Sequence, residues 1–192
     1  KTICFMHPIP SIMAITFDAY STLFDFTSNA LSTLRAFMPT DAHPQLAEIW
    51  ATMNDVVIRR FADFAGRRRG DFPRFVTMAD IHRACFVEVR RSHVPALDVD
   101  AATTAWNSYI AVAPLYDDAL PAVEWAAARY PVGIVSDIDT WMLAENPAIP
   151  ALPLSAMITS EEDGAYKAMI DCTMFQRAAR LLGCSPQNIL HV

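Results

Sequence analysis

Lysine is nearly absent. The 192 residues hold thirteen arginines but only two lysines, Lys1 and Lys167. A planar guanidinium and a compact ammonium differ most at a small buried site, where an ammonium can sit between two carboxylates and a fork cannot. Position 167 is therefore expected to need an amine. Although 53% of the residues are hydrophobic, no unbroken apolar run approaches the ~20 residues of a membrane-crossing helix, and a soluble, cytoplasmic globular protein is expected. Residues Lys1 to Pro10 carry one positive charge, two prolines and no apolar core followed by a small-residue cleavage site, so no secretory leader is expected. Close cysteine pairs are lacking too. Cys4, Cys85, Cys172 and Cys184 are scattered, which speaks against a zinc site or redox motif and fits free, buried thiols in a reducing compartment. The only basic run is Arg67-Arg68-Arg69, and the formal net charge is -6. Nucleic acid is not an expected partner, and the run reads as a solvated loop. Neither a repeat nor a low-complexity segment is present.

Against this background one stretch stands out. The apolar run Ile12 to Phe17, broken only by Thr16, is short enough for a strand buried on both faces, and it ends on Asp18. Ala19, Tyr20, Ser21 and Thr22 follow, so a carboxylate at a strand's C-terminal edge is ringed by hydrogen-bonding groups. An acid after a strand commonly serves as a turn former or helix cap. It is also how an open α/β sheet presents a nucleophile at its crevice.

After Leu23 the pattern turns helical for roughly ninety residues. Thr27 or Ser28 is expected to cap a helix running to Met38. In the next helix, Leu46, Ile49, Trp50, Met53, Val57, Phe61 and Phe64 share one face, with Pro44 in the first turn and Gly66 as the stop. Thr77 and Asp80 form a capping box for a helix bearing Ile81, Cys85 and Val89. Asp98 or Asp100 starts a fourth helix, carrying Trp106 and Tyr109 as core residues and closing near Pro114. Four helices without an intervening strand read as an inserted lobe.

Strand signals then return. Asp117 or Asp118 and Pro121 open a helix ending near Tyr130. A second buried strand, Val132 to Val135, delivers Ser136-Asp137-Ile138-Asp139. A third, Leu154 to Ile158, leads toward Gly164-Ala165-Tyr166-Lys167. A helix with Phe175, Ala178, Ala179 and Leu182 stops at Gly183, before a last strand, Ile189 to Val192. Alternating strands and helices with short loops predict an α/β fold with a doubly wound, Rossmann-like parallel sheet. The core spans 11–25 and 114–192, and a helical cap spans 26–113. In such a sheet all strand C-termini open on one edge, so Asp18, Ser136 and Lys167 can converge.

This set of motifs resembles the haloacid dehalogenase superfamily, and Asp18-Ala19-Tyr20 with Thr22, Leu23, Phe24 and Asp25 is most similar to its 2-haloacid dehalogenase branch. The resemblance covers nearly the whole chain from Met13 onward. It matches Ser136 to the second motif and Lys167 to the third-motif lysine. It implies a hydrolase in which Asp18 forms a covalent ester with a small anionic substrate and Lys167 holds that carboxylate ionised. Tyr20, Thr22, Ser136 and Asp137 are then candidate substrate-binding residues. Dehalogenation would need no cofactor.

Tyr20 bears on the chemistry. Phosphatases of the superfamily usually carry a second acid two residues after the nucleophile to protonate the leaving alcohol, and a phenol with a pKa of about 10 is a poor substitute. Halide leaves without a proton. Hydrolysis of a 2-haloacid to a 2-hydroxy acid is the leading expectation, and a Mg²⁺-dependent phosphatase with Asp18 as a metal ligand is the alternative. A catalytically silent remnant is the third reading. Several positions depart from the branch. Ala51, after Trp50, occupies the place of an arginine that cradles halide or carboxylate, with Arg59 and Arg60 further along the helix. Ala168 replaces a proline, Asp137 stands where asparagine is common, and Phe175 replaces a tyrosine two residues closer to the lysine. His191-Val192 resembles the strand leading into a fourth, Gly-Asp-rich motif, so a fragment ending before that motif is expected. A homodimer is left open.

Overall fold

Four short strands, all parallel, set the frame of the computed structural model, which describes residues 11–72 and 74–192. Lys1, Cys4 and the stretch read as lacking a leader lie outside the described residues. The central strand β1, Ala14–Phe17, is buried along its whole length, as the apolar run requires. Its first two expected members do not join it: Ile12 and Met13 are 44% and 49% exposed.

The chain then makes four helices before the sheet resumes: α1 (Ala30–Phe37), α2 (Leu46–Phe64), α3 (Met78–Ser92) and α4 (Val99–Ala111). Helix α2 buries Leu46, Ile49, Met53 and Phe64, with Trp50, Val57 and Phe61 packed partly buried against the same core. Helix α3 buries the predicted stripe of Ile81, Cys85 and Val89 completely. Its capping box forms as read: Thr77 Oγ1 accepts from the Asp80 N–H, and the Asp80 carboxylate accepts from the Thr77 N–H. Asp98 caps α4.

The expected cap of α1 is different. Asn29 occupies the N-cap position without a side-chain bond, because Asp25 Oδ1 captures the Ser28 N–H at 2.9 Å and the segment 25–28 forms its own turn.

Helix α5 (Ala119–Ala127) precedes β2 (Val132–Ser136). Asp118 precedes it without a side-chain cap. Short helices α6 (Thr140–Ala144) and α7 (Ser160–Asp163) flank β3 (Ala156–Thr159), and α8 (Thr173–Leu182) leads to β4 (Ile189–His191). The third strand starts two residues later than Leu154. The sheet order is β3-β2-β1-β4. The chain winds outward from β1 to β3 and then returns to the other side of β1. That reversal puts the crevice of an open α/β sheet at the C-terminal end of β1.

Two side chains tie the four-helix segment to the loops at that crevice. Asp139, 1% exposed, accepts hydrogen bonds from the Met78 and Ala79 N–H groups at 2.7 and 2.9 Å. It thereby satisfies the free donors at the N-terminus of α3 from sixty residues away. Tyr166 stacks on Phe64 with ring centroids 4.3 Å apart and packs on Phe75 and Phe61. Its hydroxyl donates to the Val76 carbonyl at 2.7 Å. The Arg67-Arg68-Arg69 run is exposed, as read. Cys85, Cys172 and Cys184 are free as expected, but of the three only Cys85 is buried, Cys172 being exposed and Cys184 half-buried; burial pushes the Cys85 thiol up to about 12. Among the described residues no helix is long and apolar enough to cross a membrane.

Candidate active site

Asp18 follows the last residue of β1 and lies half-buried at the crevice. Its Oδ1 accepts from the Ala19 N–H at 2.8 Å. Its Oδ2 meets Lys167 Nζ at 2.6 Å, and that lysine side chain is 18% exposed. The sole interior lysine thus reaches the strand-end carboxylate from 149 positions away in sequence. Local structure explains the reach. Gly164, with φ +58, ends α7 in the left-handed conformation that glycine adopts at little cost. Tyr166 is then wedged into its aromatic slot, leaving the next residue directed at the crevice.

Lys167 engages a second acid as well. Its backbone N–H donates to Asp137 Oδ1 at 2.8 Å, so one residue contacts both carboxylates, Asp18 through Nζ and Asp137 through the main chain. Burial pushes the Asp137 carboxyl up to about 6, against the nearby lysine charge that lowers it. His191, at the end of β4, bonds Thr16 Oγ1 through Nδ1 at 3.0 Å. Burial first, and the Lys167 charge second, hold its imidazole below the ordinary histidine range.

The remaining candidates divide. Tyr20 and Asp137 line a cavity of about 110 Å³ between the crevice loops and helices α2, α3 and α4. The Tyr20 hydroxyl donates to the Met142 carbonyl at 3.3 Å, its ring packs on Phe24 and Phe26, and burial pushes its phenol up. Thr22 is half-buried beyond Asp18, and Ser136 is 2% exposed at the end of β2. Neither lines that cavity, and among the described residues no side-chain hydrogen bond joins either to Asp18. Ser136 does not cap a helix, since α6 begins only after Asp139.

Ala51 is exposed and faces away from the cavity, whereas Trp50, Met53, Asn54 and Val57 present the inward face of α2. Arg59 and Arg60 are exposed beside Asp55 and Asp63, and neither lines this cavity. Phe175 packs edge-on against His191 and does not line the cavity.

Sequence reasoning missed two buried polar groups here. Asp139 was named without a role, because its partners lie sixty residues away. His82, 5% exposed and bonded to Asn107 at 2.6 Å, sits one position beyond the Ile81 stripe. A polar residue flanking an otherwise apolar helix face was the only available signal.

The described residues do not by themselves form a Mg²⁺ site. No group of three or more His, Cys, Asp or Glu side chains is gathered among them. Asp18 is already engaged by an ammonium and an N–H donor, and the residue two positions on is a buried phenol.

Solved structures share this architecture. The L-2-haloacid dehalogenase PA0810 aligns at a TM-score of 0.69 with 20% identity, over 94% of this chain and 75% of that one. The L-2-haloacid dehalogenase from Xanthobacter autotrophicus with chloropropionic acid covalently bound gives 0.68 and 20%, over 94% and 69%. The magnesium-bound HAD-hydrolase YfnB from Bacillus subtilis gives 0.64 and 15%, over 88% and 74%. At these identities the likeness is one of fold. No curated protein matches the sequence significantly. A family model for haloacid dehalogenase-like hydrolases, however, matches residues 12–192, and on that match the chain belongs to the haloacid dehalogenase-like hydrolase family.

Proposed function

We propose that the protein hydrolyses a small 2-haloacid through a covalent ester on Asp18. The observation that carries this reading is the ion pair of Asp18 with Lys167 at 2.6 Å: a strand-end carboxylate held in place and charge-balanced by a compact amine. The carboxylate attacks the halogen-bearing carbon, and halide departs with the bonding electrons. Water then adds to the ester carbonyl, the 2-hydroxy acid leaves, and Asp18 is regenerated with release of a proton. Ser136 and Thr22, at the same sheet edge, are assigned to the oxygens of the substrate carboxylate.

Halide release from 2-chloropropionate, with stoichiometric lactate, is the expected result. Metal-dependent turnover of an aryl phosphate with no halide release would instead select the phosphatase reading. Tyr20 weighs against that outcome, because a buried phenol bonded to a carbonyl cannot protonate an alcohol near neutral pH. A silent remnant would give neither product.

The buried second acid predicts a pH dependence. Below about 6 Asp137 is neutral, and above it the carboxylate adds a negative charge beside an anionic substrate. Accordingly kcat/KM for the haloacid falls, by about tenfold for each 1.4 kcal/mol of repulsion, as pH rises through that value. Asp137→Asn keeps an acceptor for the Lys167 N–H and is expected to flatten this limb. An unchanged limb in the variant would assign it to another group.

A further inference from the structure

The cavity that Tyr20 and Asp137 share with the helical cap has a largely apolar wall, with His82, Asn54, Asp137 and the Tyr20 hydroxyl as its polar groups. Its cap side is formed by Trp50, Met53 and Trp106, and among the described residues no arginine or lysine lines it. His82 is 5% exposed, its Nδ1 is held by Asn107 Oδ1 at 2.6 Å, and its ring lines the cavity. Nε2 has no protein partner among the described residues. Burial holds the imidazole at about 4, so the group is neutral at physiological pH. Whichever tautomer Asn107 selects, His82 leaves one uncharged hydrogen-bonding atom for whatever fills the space, beside the half-buried Asn54 amide.

From this arrangement, and because the cavity wall includes Tyr20, two residues after Asp18, and Asp137, which accepts from the Lys167 N–H, we infer that His82 is a specificity-determining residue that reads an uncharged polar group, such as a hydroxyl, on the tail of the substrate. The inference rests on the reading of the site as one for small acids, and it names which acids. A cavity of about 110 Å³ suits a short tail. A hydroxyl suits either tautomer, since it both donates and accepts. A second carboxylate does not fit: it would enter an apolar pocket without a counter-charge and beside Asp137. Sites that hydrogen-bond a ligand hydroxyl discriminate through the polar atom left unpaired when the hydroxyl is missing.

The test uses binding of unreactive acids, so that it stands apart from turnover. Pentanoate, 4-hydroxybutanoate and butanedioate are similar in length and end in a methyl, a hydroxyl and a carboxylate. Each is titrated calorimetrically into the wild-type chain and into His82→Leu and His82→Gln, with circular dichroism and melting curves verifying the fold. Wild type is expected to bind both monoacids and to reject butanedioate. His82→Leu is expected to weaken 4-hydroxybutanoate about tenfold or more relative to pentanoate, and His82→Gln to restore most of that difference. An equal change for both monoacids, or butanedioate binding wild type as tightly as 4-hydroxybutanoate, would overturn the assignment. If these ligands behave as expected while no haloacid is turned over, the cavity assignment stands and the reaction assigned to Asp18 fails.

Discussion

Replacing Asp18 by alanine is expected to lower kcat for halide release by about 10⁴-fold or more, the scale of loss when the group that forms the covalent bond is deleted. Nothing nearby can substitute. Asp137 is held through one oxygen by the Lys167 N–H, and the Tyr20 hydroxyl is bonded to Met142. Asp18→Asn is the sharper variant, because it preserves the shape and an acceptor for the Ala19 N–H while removing the charge. It is expected to be as inactive as the alanine variant, with a melting temperature near that of wild type. An asparagine variant retaining a tenth of the activity would mean that Asp18 orients the substrate without bonding to it. Lys167→Arg keeps a positive charge but replaces a compact group with a fork in a site only 18% exposed, and it is expected to recover little activity.

The second large effect is on stability. Tyr166→Ala is expected to cost about 3–5 kcal/mol, the range for truncating a buried aromatic. Tyr166 is 1% exposed, stacks between Phe64 and Phe75, and donates its hydroxyl to Val76. Those three partners lie in the segment between β1 and β2, so the loss falls where the helices meet the sheet loops. Denaturant titration at neutral pH measures it. Tyr166→Phe removes only the hydroxyl and is expected to cost about 1–3 kcal/mol, the penalty of leaving a buried carbonyl unpaired. The alanine variant should also lose activity while still folded, because residue 166 sets the position of Lys167. Full activity in a folded Tyr166→Ala protein would show that the lysine is placed by other contacts.

Much of this arrangement was legible because it is local. The Thr77–Asp80 box, the Gly183 stop and the apolar face of α2 each depend on residues within a few turns of one another. The strand-end positions of Asp18 and Ser136 followed from short apolar runs. The Asp18–Lys167 contact was reachable only through topology, since parallel strands open on one edge whatever their separation in sequence.

What was not legible depends on distant partners or on elements too short to show a period. Helices α6 and α7 span five and four residues, barely one turn, so no 3.6-residue stripe can appear in them. Asp139 reads as an ordinary loop acid until Met78 and Ala79 are seen beside it. Ala51 looked like a lost arginine by its place after Trp50, yet the helix turns that position to solvent and brings Asn54 inward. His82 carried no motif, and only the cavity gives it a task.

The central assignment is a bond between Asp18 and the substrate, and a single-turnover reaction in ¹⁸O-labelled water with excess protein over 2-chloropropionate tests it most directly. Ester hydrolysis by attack at the carboxyl carbon puts the heavy oxygen on Asp18, so mass spectrometry of the peptide carrying that residue should show the label and the first lactate formed should lack it. Label in that lactate with none on Asp18 would mean that water attacks the substrate directly, and the covalent mechanism would be wrong.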